Sequence, residues 1–325
     1  MIITRTPFRI SFVGGGTDLA DFYRLEPGAV VSTAINKYMY IVVNKRFDST
    51  TRVSYLKTEI VKNVDEIQHP IVREALKLVG ISDGIEIVSI ADIPAGTGLG
   101  SSSSFTVGLL NALYAYKGML RSAEELARQA SHLEIDILGE PIGKQDQYIA
   151  AYGGLRYIQF NSDETVFMEP IMYNRKNKDE LNQNLLLLYT GDTRRAASIL
   201  EEQKSNMRRG SNVECLRKMR DLALALRKHL NNNGSPDILG EFLHKGWSLK
   251  KQLAGGISNP EIDSYYEEAL DSGALGGKIL GAGGGGFLLL YCPKEKQPKV
   301  REALSDFPQT EFSLEPEGSK IIYVI

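Results

Sequence analysis

Residues 94–105 read PAGTGLGSSSSF, and an apolar stretch with helical spacing follows directly. The glycines permit positive φ angles and leave backbone N–H groups accessible to a ligand. The unpaired N–H groups and the dipole at the start of a helix both favour a bound anion. Serines here could simply cap the helix, but one would be enough for that. We therefore interpret this stretch as a phosphate-binding loop that leads into a helix.

Two further glycine-rich stretches support an anionic ligand: VGGGTDL at 13–19 and GAGGGGFLLL at 281–290. Neither common nucleotide motif explains them. No GxxxxGK[ST] sequence is present, which excludes a Walker A loop. Residues 281–286 fit GxGxxG, but the strand-like FLLLYC follows where a dinucleotide-binding fold needs a helix. The sequence therefore predicts a phosphate site of a different kind.

Length and composition indicate an ordinary globular protein. With 325 residues, the chain is expected to form two domains with a site in the cleft between them. A net charge of −2 argues against nucleic-acid binding, and no apolar stretch approaches the length of a membrane span. The two cysteines, Cys215 and Cys292, are too far apart to suggest a zinc site or a disulfide framework. We expect a cytoplasmic protein with no nucleic-acid or membrane partner.

Helices and strands alternate in both halves, which predicts an α+β fold with packed layers. The polar segment 161–184 suggests a domain boundary, with domains at 1–172 and 173–325. Strands are predicted at 9–13, 29–35, 38–43, 84–90, 153–160, 185–189, 287–292 and 321–325. Helices are predicted at 71–80, 105–116, 122–138, 194–208, 213–230, 238–253, 260–272 and 297–305.

Two acidic residues follow the phosphate loop. Glu134 lies at the edge of an apolar stripe that includes Leu133 and Ile137 in the predicted helix 122–138. A carboxylate that leans toward the core needs a partner, and a metal ion would serve. Asp146 follows a turn that contains Gly143. Its spacing fits either a helix cap or a catalytic group, and the residues alone leave both readings open.

Three motifs in order, PFRISFVGGGTD at 7–18, PAGTGLGSSSSF at 94–105 and GKILGAGGGGF at 277–287, resemble those of the galactokinase, homoserine kinase, mevalonate kinase and phosphomevalonate kinase (GHMP) superfamily. The resemblance implies an N-terminal domain like ribosomal protein S5, with a left-handed βαβ unit, and a ferredoxin-like C-terminal α/β domain. It also implies that ATP and Mg²⁺ bind in the cleft between them.

The resemblance assigns roles to individual residues. Asp146 would accept the proton of the substrate hydroxyl, and Arg9 would lie beside it and keep it ionised. Ser102 and Glu134 would be Mg²⁺ ligands. We expect Ser101 and Ser102 to lie in the loop, with Ser103 and Ser104 beginning the helix. The expected ATP-binding residues are Pro94, Gly96, Gly98, Leu99, Gly100, Ser101, Ser102 and Ser103.

The first motif also narrows the substrate. Galactokinases carry Gly-Glu-His-Thr-Asp where this chain has GGGTD at 14–18, which argues against galactokinase. GGGTD, GKQDQYIAAYGG and LLYTGDTRRA resemble the bacterial D-glycero-D-manno-heptose 7-phosphate kinases, which phosphorylate the anomeric hydroxyl to give the 1,7-bisphosphate. The expected substrate-binding residues are Gly15, Gly16, Thr17, Asp18, Lys144, Arg194, Gly283 and Gly284, with Asp18 on the sugar ring and Arg195 as a further candidate for the 7-phosphate.

Other functions remain open on the sequence. The substrate could be another sugar, such as fucose or an N-acetylhexosamine, phosphorylated at C1. The chain could be a sugar-binding member of the superfamily without activity, although it keeps Ser102, Glu134 and Asp146. A decarboxylase acting on a diphosphate is disfavoured by Thr17 and Asp18. The expected partner is a small-molecule sugar phosphate, and the chain is expected to be a monomer or a homodimer.

Overall fold

The computed structural model describes residues 1–191 and 196–325, and the strands of these residues form two sheets. The strands of the first sheet are β1 (Ile2–Val13), β2 (Gly28–Lys45), β3 (Thr51–Ser54), β4 (Thr58–Val61), β5 (Ile85–Ala91), β6 (Leu155–Phe160), β7 (Val166–Pro170) and β11 (Lys320–Val324). Those of the second sheet are β8 (Leu185–Tyr189), β9 (Gly276–Ile279) and β10 (Phe287–Tyr291).

The long strand β2 organises the first sheet. The sequence predicted two strands here, at 29–35 and 38–43, but the chain continues as one strand of 18 residues. β1 pairs with one edge of β2 along most of the length of β2. The other edge of β2 pairs with β6 at residues 28–33 and with β5 at residues 39–45. The strands run in the order β11-β1-β2-β5-β3-β4, and β6 and β7 branch from β2.

The helices are α1 (Ala20–Tyr23), α2 (Pro70–Val79), α3 (Ser101–Tyr116), α4 (Ala123–Ser131), α5 (Gln145–Tyr152), α6 (Arg175–Gln183), α7 (Ala196–Arg208), α8 (Val213–Asn231), α9 (Ile238–Lys250), α10 (Pro260–Asp271) and α11 (Gln297–Ala303). The central one is α3, which packs on β1 and β2 and is buried from Ser103 to Tyr114. None of the helices that the model describes is long and apolar enough to cross a membrane.

The predicted helix 122–138 changes its form halfway. It begins with the expected capping box between Ser122 and Glu125, and from His132 to Ile137 it widens into a π-helical turn. An α-helical stripe would have buried Ile137 and left Glu134 at its edge. Instead Ile137 is exposed and Glu134 is completely buried. The wider turn therefore brings the carboxylate into the interior, as such turns often do at functional sites.

The second sheet is antiparallel, with β10 between β8 and β9. Its apolar runs, LLLLY in β8 and FLLLY in β10, are buried almost throughout, because helices cover the sheet and α9 packs against β9. Segment 161–184, which the sequence presented only as polar, contains β7 and α6.

The last strand belongs to the first sheet. Residues 320–324 form the predicted terminal strand, and it pairs antiparallel with β1. The chain reaches it through bridges from Gln309 to Leu188 in the second sheet and from Leu314 to Ile35 in the first. The packed α and β layers predicted from the sequence are thus confirmed, and the first sheet is completed by residues far from it in sequence.

Candidate active site

The three glycine-rich motifs meet at one cavity of about 320 Å³. Its lining residues from these motifs include Arg9, Ser11, Gly15, Gly16, Asp18, Gly96, Gly98, Gly100, Ser101, Ser102, Ser103, Lys278, Leu280, Gly281, Ala282, Gly283 and Gly285. Gln145 and Asp146, at the start of α5, add to the wall. Gln203 on α7 and Lys250 on α9 also line it. The cavity therefore combines residues from both halves of the chain.

The phosphate loop leads directly into α3. Gly100 adopts a left-handed conformation, with a φ of 75°, and the helix begins at Ser101. The prediction that Ser101 and Ser102 lie in the loop is therefore wrong, because the loop ends at Gly100 and the helix begins at the next residue. Ser101, Ser102 and Ser103 form the first helical turn and line the cavity. The N–H groups of a first turn have no partner inside the helix, so this end suits an anion.

The second and third motifs touch through bare backbone. A Cβ atom on Gly98 would lie 2.6 Å from the carbonyl oxygen of Leu280, and one on Gly281 would lie 2.6 Å from the Cα of Gly98. Both glycines also have positive φ angles, of 88° and 71°. No side chain fits at this contact, and the two loops form a continuous wall of main chain along the cavity.

Ser102 lines the cavity, and the completely buried Glu134 lies next to it without lining the cavity itself. The Ser102 hydroxyl donates to Oε1 of Glu134 at 2.7 Å. The Ser103 hydroxyl and the Gln147 amide donate to Oε2, at 2.9 Å and 2.6 Å. Burial raises the pKa of the Glu134 carboxyl, and these hydrogen bonds act in the opposite direction. A buried carboxylate held by neutral donors favours a cation beside it.

The oxygens of Ser102 and Glu134 fit a magnesium ion. Mg²⁺ prefers oxygen ligands and in proteins is usually bound by one or two carboxylates together with substrate phosphates. Within residues 1–191 and 196–325, no group of three or more His, Cys, Asp or Glu side chains could hold a metal by itself. An ion at this place would therefore need further oxygens from a phosphate ligand or from water.

Arg9 and Asp146 form a bidentate ion pair in the cavity wall. Nε and Nη2 of Arg9 donate to the two carboxylate oxygens of Asp146, at 2.7 Å and 2.6 Å. Nη1 of Arg9 donates to the carbonyl oxygen of Gly98 at 2.5 Å. The Arg9 side chain is only 5% exposed and that of Asp146 is 22% exposed. The carboxylate is thus oriented by a buried guanidinium that is itself attached to the phosphate loop.

Asp18 lies in the same cavity and joins the first motif to α5. Its Oδ1 accepts a hydrogen bond from the N–H of Gly16 at 2.9 Å, and its Oδ2 accepts one from the N–H of Gln145 at 3.3 Å. Burial raises the pKa of Asp18, and the nearby carboxylate of Asp146 raises it further, while the Gly16 hydrogen bond lowers it.

Several predicted residues do not line the cavity. Thr17 is buried, and its hydroxyl lies within hydrogen-bond distance of the carbonyl oxygens of Gly14 and Ala29. It therefore anchors the first motif to β2. Pro94, Leu99 and Gly284 belong to the loops around the cavity but not to its wall. Arg194 and Arg195 lie outside the described residues.

The sequence predicted Lys144 near the substrate, but Lys144 does not line this cavity. Its ammonium forms an ion pair with Glu164 and lies over the ring of Tyr23. These residues belong to a separate pocket on the other side of the segment that contains Gln145. Lys144 is adjacent to the cavity in sequence, but its side chain points away.

Sequence reasoning missed two lysines in the cavity wall, Lys250 and Lys278, which are 6% and 5% exposed. The ammonium of Lys250 donates to the carbonyl oxygen of Gly281, and that of Lys278 donates to those of Ser11 and Phe12. Burial lowers the pKa of Lys250 to about 8 and that of Lys278 well below its ordinary value, and the charge of Arg9 acts in the same direction. A lysine on the buried stripe of α9, after Leu243 and Trp247, was the available signal.

Three uncharged polar residues of the wall were also missed. The hydroxyl of Ser11, Oε1 of Gln145 and Nε2 of Gln203 are buried without a hydrogen-bond partner among the described residues. Ser11 and Gln145 lie on either side of Gly15, and Gln203 lies close to Gly16. Unpaired buried polar atoms are costly, so this part of the wall suits a ligand rich in hydroxyl groups.

Two family models match the chain in order. The model described as GHMP kinases N terminal domain matches residues 63–154, and the one described as GHMP kinases C terminal matches residues 222–309. Together they cover more than half of the chain. The first match contains the phosphate loop, Glu134 and Asp146, and the second contains Lys250 and the third glycine-rich motif.

Individual relatives extend the similarity to the full length. A D-glycero-alpha-D-manno-heptose 7-phosphate kinase from Campylobacter jejuni is 29% identical over 98% of each chain. An L-fucokinase/L-fucose-1-P guanylyltransferase from Bacteroides fragilis is 29% identical over 91% of this chain, but only 35% of that longer protein is covered. The crystal structure of a D-glycero-D-manno-heptose 1-phosphate kinase from Bacteroides thetaiotaomicron superposes over 100% of both chains, with a TM-score of 0.82 at 21% identity.

These comparisons confirm the fold predicted from the sequence, a two-domain α+β kinase fold. The glycine-rich loop at a helix start, with its neighbouring carboxylates, agrees with nucleotide-dependent phosphoryl transfer. The chain therefore belongs to the GHMP kinase superfamily of ATP-dependent phosphotransferases.

Proposed function

We propose that this protein transfers the γ-phosphoryl group of ATP to the anomeric C1 hydroxyl of a sugar phosphate, with D-glycero-D-manno-heptose 7-phosphate as the best candidate. The product would be the 1,7-bisphosphate, a precursor of nucleotide-activated heptose for surface polysaccharide. The observation that carries the proposal is the Arg9–Asp146 pair, which joins a carboxylate at the cavity wall to the phosphate loop.

ATP would bind along the second and third motifs. The first turn of α3, at Ser101–Ser103, offers N–H groups to the phosphates, and Gly96, Gly98 and Gly100 leave room for them. Pro94 and Leu99 would support this loop from outside the cavity. The donor also suggests a cytoplasmic location, where ATP is supplied.

Ser102 and Glu134 would hold Mg²⁺. The ion would neutralise charge on the phosphates during transfer. Glu134 supplies the negative charge, and its hydrogen bonds to Ser103 and Gln147 orient its carboxylate.

Asp146 would act as the base. Its carboxylate would accept the proton of the C1 hydroxyl, which is more acidic than the other sugar hydroxyls because it is anomeric. Arg9 would hold the carboxylate in place through its two hydrogen bonds.

The sugar would bind on the side of the first motif. Asp18 would accept hydrogen bonds from ring hydroxyls, and the bare backbone of Gly15, Gly16 and Gly283 would let the sugar approach closely. The unpaired polar atoms of Ser11, Gln145 and Gln203 are suited to the remaining hydroxyls. Arg194 stays a candidate for the 7-phosphate. The division of the chain into domains at 1–172 and 173–325 also stays a proposal, although β11 pairs with β1 in the first sheet.

The proposal is tested by coupled measurement of ADP release with a panel of sugars. We expect turnover of heptose 7-phosphate to exceed that of heptose, fucose and N-acetylhexosamines, with phosphate found on C1 by NMR. Preferred turnover of fucose would favour a fucokinase activity, in line with the Bacteroides fragilis relative. Binding of a sugar without ADP release would identify a non-catalytic sugar-binding protein.

A further inference from the structure

Lys250 is a buried cation that the roles above do not use. It ends α9, it is 6% exposed, and it lines the cavity. Nζ donates to the carbonyl oxygen of Gly281, and no carboxylate of the described residues forms an ion pair with it. Burying a lysine without a charged partner is costly, so such a group normally has a functional reason.

The surroundings of this ammonium are short of negative charge. Arg9 is another buried cation of the wall, whereas Lys278 is a buried lysine whose pKa is lowered well below its ordinary value. The carboxylates that act electrostatically on Lys250 are those of Asp18 and Asp146. Asp146 is already taken by the guanidinium of Arg9, and the pKa of Asp18 is raised. The wall therefore carries positive charge that an anionic ligand would neutralise.

The hydrogen bond of Lys250 to Gly281 indicates which anionic ligand the wall would bind. Gly281, whose carbonyl oxygen it contacts, lies against the backbone of Gly98 in the phosphate loop. Arg9 is attached to the carbonyl oxygen of Gly98 itself. Both cations are thus fixed where the two glycine loops meet, one from each half of the chain.

On the basis of the proposed function, we propose that Lys250 binds the γ-phosphoryl group of ATP and stabilises its charge during transfer. The C1 oxygen forms a bond to the γ-phosphorus, the bond from that phosphorus to the bridging oxygen breaks, and its electron pair leaves on ADP. The proton of the C1 hydroxyl goes to Asp146. The ammonium of Lys250 faces the three oxygens that carry the moving charge.

The alternative is that Lys250 binds the phosphate that the sugar already carries. In the ring form of the sugar, a phosphate on C7 is separated from the C1 hydroxyl by the ring oxygen, C5 and C6, so it occupies a different position from the transferring phosphoryl group. Lys250 interacts electrostatically with Asp146, the residue placed at C1, and it is attached to the ATP side of the cavity. These two facts favour the transferring group.

Nucleotide binding tests the proposal without any sugar. With Mg²⁺ present, calorimetry should show that Lys250→Met weakens binding of the ATP analogue AMPPNP by roughly tenfold or more, as expected for a hydrogen bond to a charged group. Binding of ADP, which lacks the γ-phosphoryl group, should be unchanged. Equal losses for both nucleotides, or no loss for AMPPNP, would overturn the proposal.

Turnover supplies the second readout. Lys250→Met should lower kcat by roughly 100-fold or more, as for loss of one transition-state charge donor, while the KM for the sugar phosphate changes little. Lys250→Arg should recover part of kcat because it keeps the charge. A loss confined to the KM of the sugar phosphate would assign Lys250 to the substrate's own phosphate and contradict the proposal.

Two controls separate this result from other failures. Lys245→Met removes an exposed lysine of the same helix that pairs with Glu241 on the surface, and it should behave as wild type. If no sugar is phosphorylated by the wild type, the proposed function fails, yet the comparison of AMPPNP with ADP still decides the role of Lys250. Melting curves of each variant establish that it is folded.

Discussion

Arg9 holds Asp146 by two parallel hydrogen bonds and reaches Gly98 with its remaining terminal nitrogen. One guanidinium therefore fixes the distance between the proposed base and the phosphate loop. Bidentate pairs of this kind define orientation as well as charge, so the carboxylate cannot rotate freely toward or away from a substrate.

Asp146→Asn should keep ATP binding and lose most turnover. The amide has nearly the same shape but cannot accept the proton, so kcat should fall roughly 100-fold or more. Calorimetry with AMPPNP and steady-state kinetics provide the two measurements. Asp221→Asn, at an exposed residue that pairs with Arg220, is the control. A kcat near that of wild type would remove Asp146 from the role of base.

Glu134→Gln should raise the Mg²⁺ concentration needed for half-maximal activity. The variant keeps the size of the side chain but removes the negative charge beside Ser102. A titration with Mg²⁺ at constant ATP measures the change. Asp136→Asn changes an exposed carboxylate of the same π-helical turn, which pairs with His132, and should leave the titration unaltered. Identical Mg²⁺ curves for Glu134→Gln and wild type would contradict the metal site.

Activity should decrease as the pH rises through about 8. Burial and the charge of Arg9 lower the pKa of Lys250 from 10.5 to about 8, while Asp18 and Asp146 act in the opposite direction. The charged form is the one below this pH, so kcat/KM should follow the protonated fraction in the free enzyme. In the pH profile of kcat, the decrease should occur at higher pH, because a bound phosphate favours the charged form of Lys250 and raises its pKa.

Lys250→Arg tests whether Lys250 causes this decrease, because the guanidinium stays charged over this pH range. Its pH profile should lack the decrease near pH 8. Lys278 is a second buried lysine with a lowered pKa, and Lys278→Arg should keep the decrease. An unchanged profile for Lys250→Arg would assign the titration to another group.

Lys250→Met should make the unliganded protein more stable while it lowers activity. The pKa of Lys250 is 10.5 in a free chain and about 8 in the folded one, so the charged form is penalised on folding. At about 1.4 kcal/mol for each pKa unit, this penalty is about 3 kcal/mol, fully present below pH 8. Between these two pKa values the unfolded chain binds more protons, and the stability of the wild type rises with pH.

Urea unfolding at pH 7 and at pH 10 measures this effect. The free energy of unfolding of Lys250→Met should exceed that of wild type at pH 7, and the difference should shrink at pH 10. A variant less stable than wild type at pH 7 would show that the ammonium contributes more to packing and hydrogen bonding than its burial costs.

Gly98→Ala and Gly96→Ala should separate two roles of glycine in one loop. Both residues have positive φ angles, of 88° and 81°, so alanine is strained at either position. Only at Gly98 would the new methyl group meet backbone, 2.6 Å from the carbonyl oxygen of Leu280, while nothing lies within 4 Å at Gly96. Gly98→Ala should therefore weaken AMPPNP binding much more strongly. Equal losses would show that backbone conformation alone decides the effect.

The sequence predicted those parts of the site that depend on local motifs. Glycines before a helix indicated the loop at 94–100, and the family resemblance implied that Arg9, Ser102 and Asp146 share one cleft. All three line the cavity, while Glu134 is completely buried and hydrogen-bonded to Ser102. The start of α3 at Ser101 was missed by two residues, because the left-handed Gly100 leaves the chain ready to begin the helix immediately.

Long-range packing decided the remaining features. Lys144 points away because Glu164, 20 residues later, pairs with it from the turn after β6. Glu134 is buried because the helix widens at His132, which the α-helical period of the sequence does not reveal. Lys250 and Lys251 are neighbouring lysines that both follow the buried stripe of α9, and the packing of α9 against β9 buries Lys250 while Lys251 pairs with Asp263.

The pairing of β11 with β1 has a consequence for the way this protein is made. Arg9 lies on β1, and one end of β1 gains its outer neighbour only when residues 320–324 arrive. During synthesis, this edge of the first sheet must therefore stay open until residues 320–324 have left the ribosome. Contacts between such distant segments also slow folding. Assembly of the first sheet is thus tied to synthesis of the segments that form the second sheet, and a chain that stops before residue 320 would leave a sheet edge exposed to aggregation.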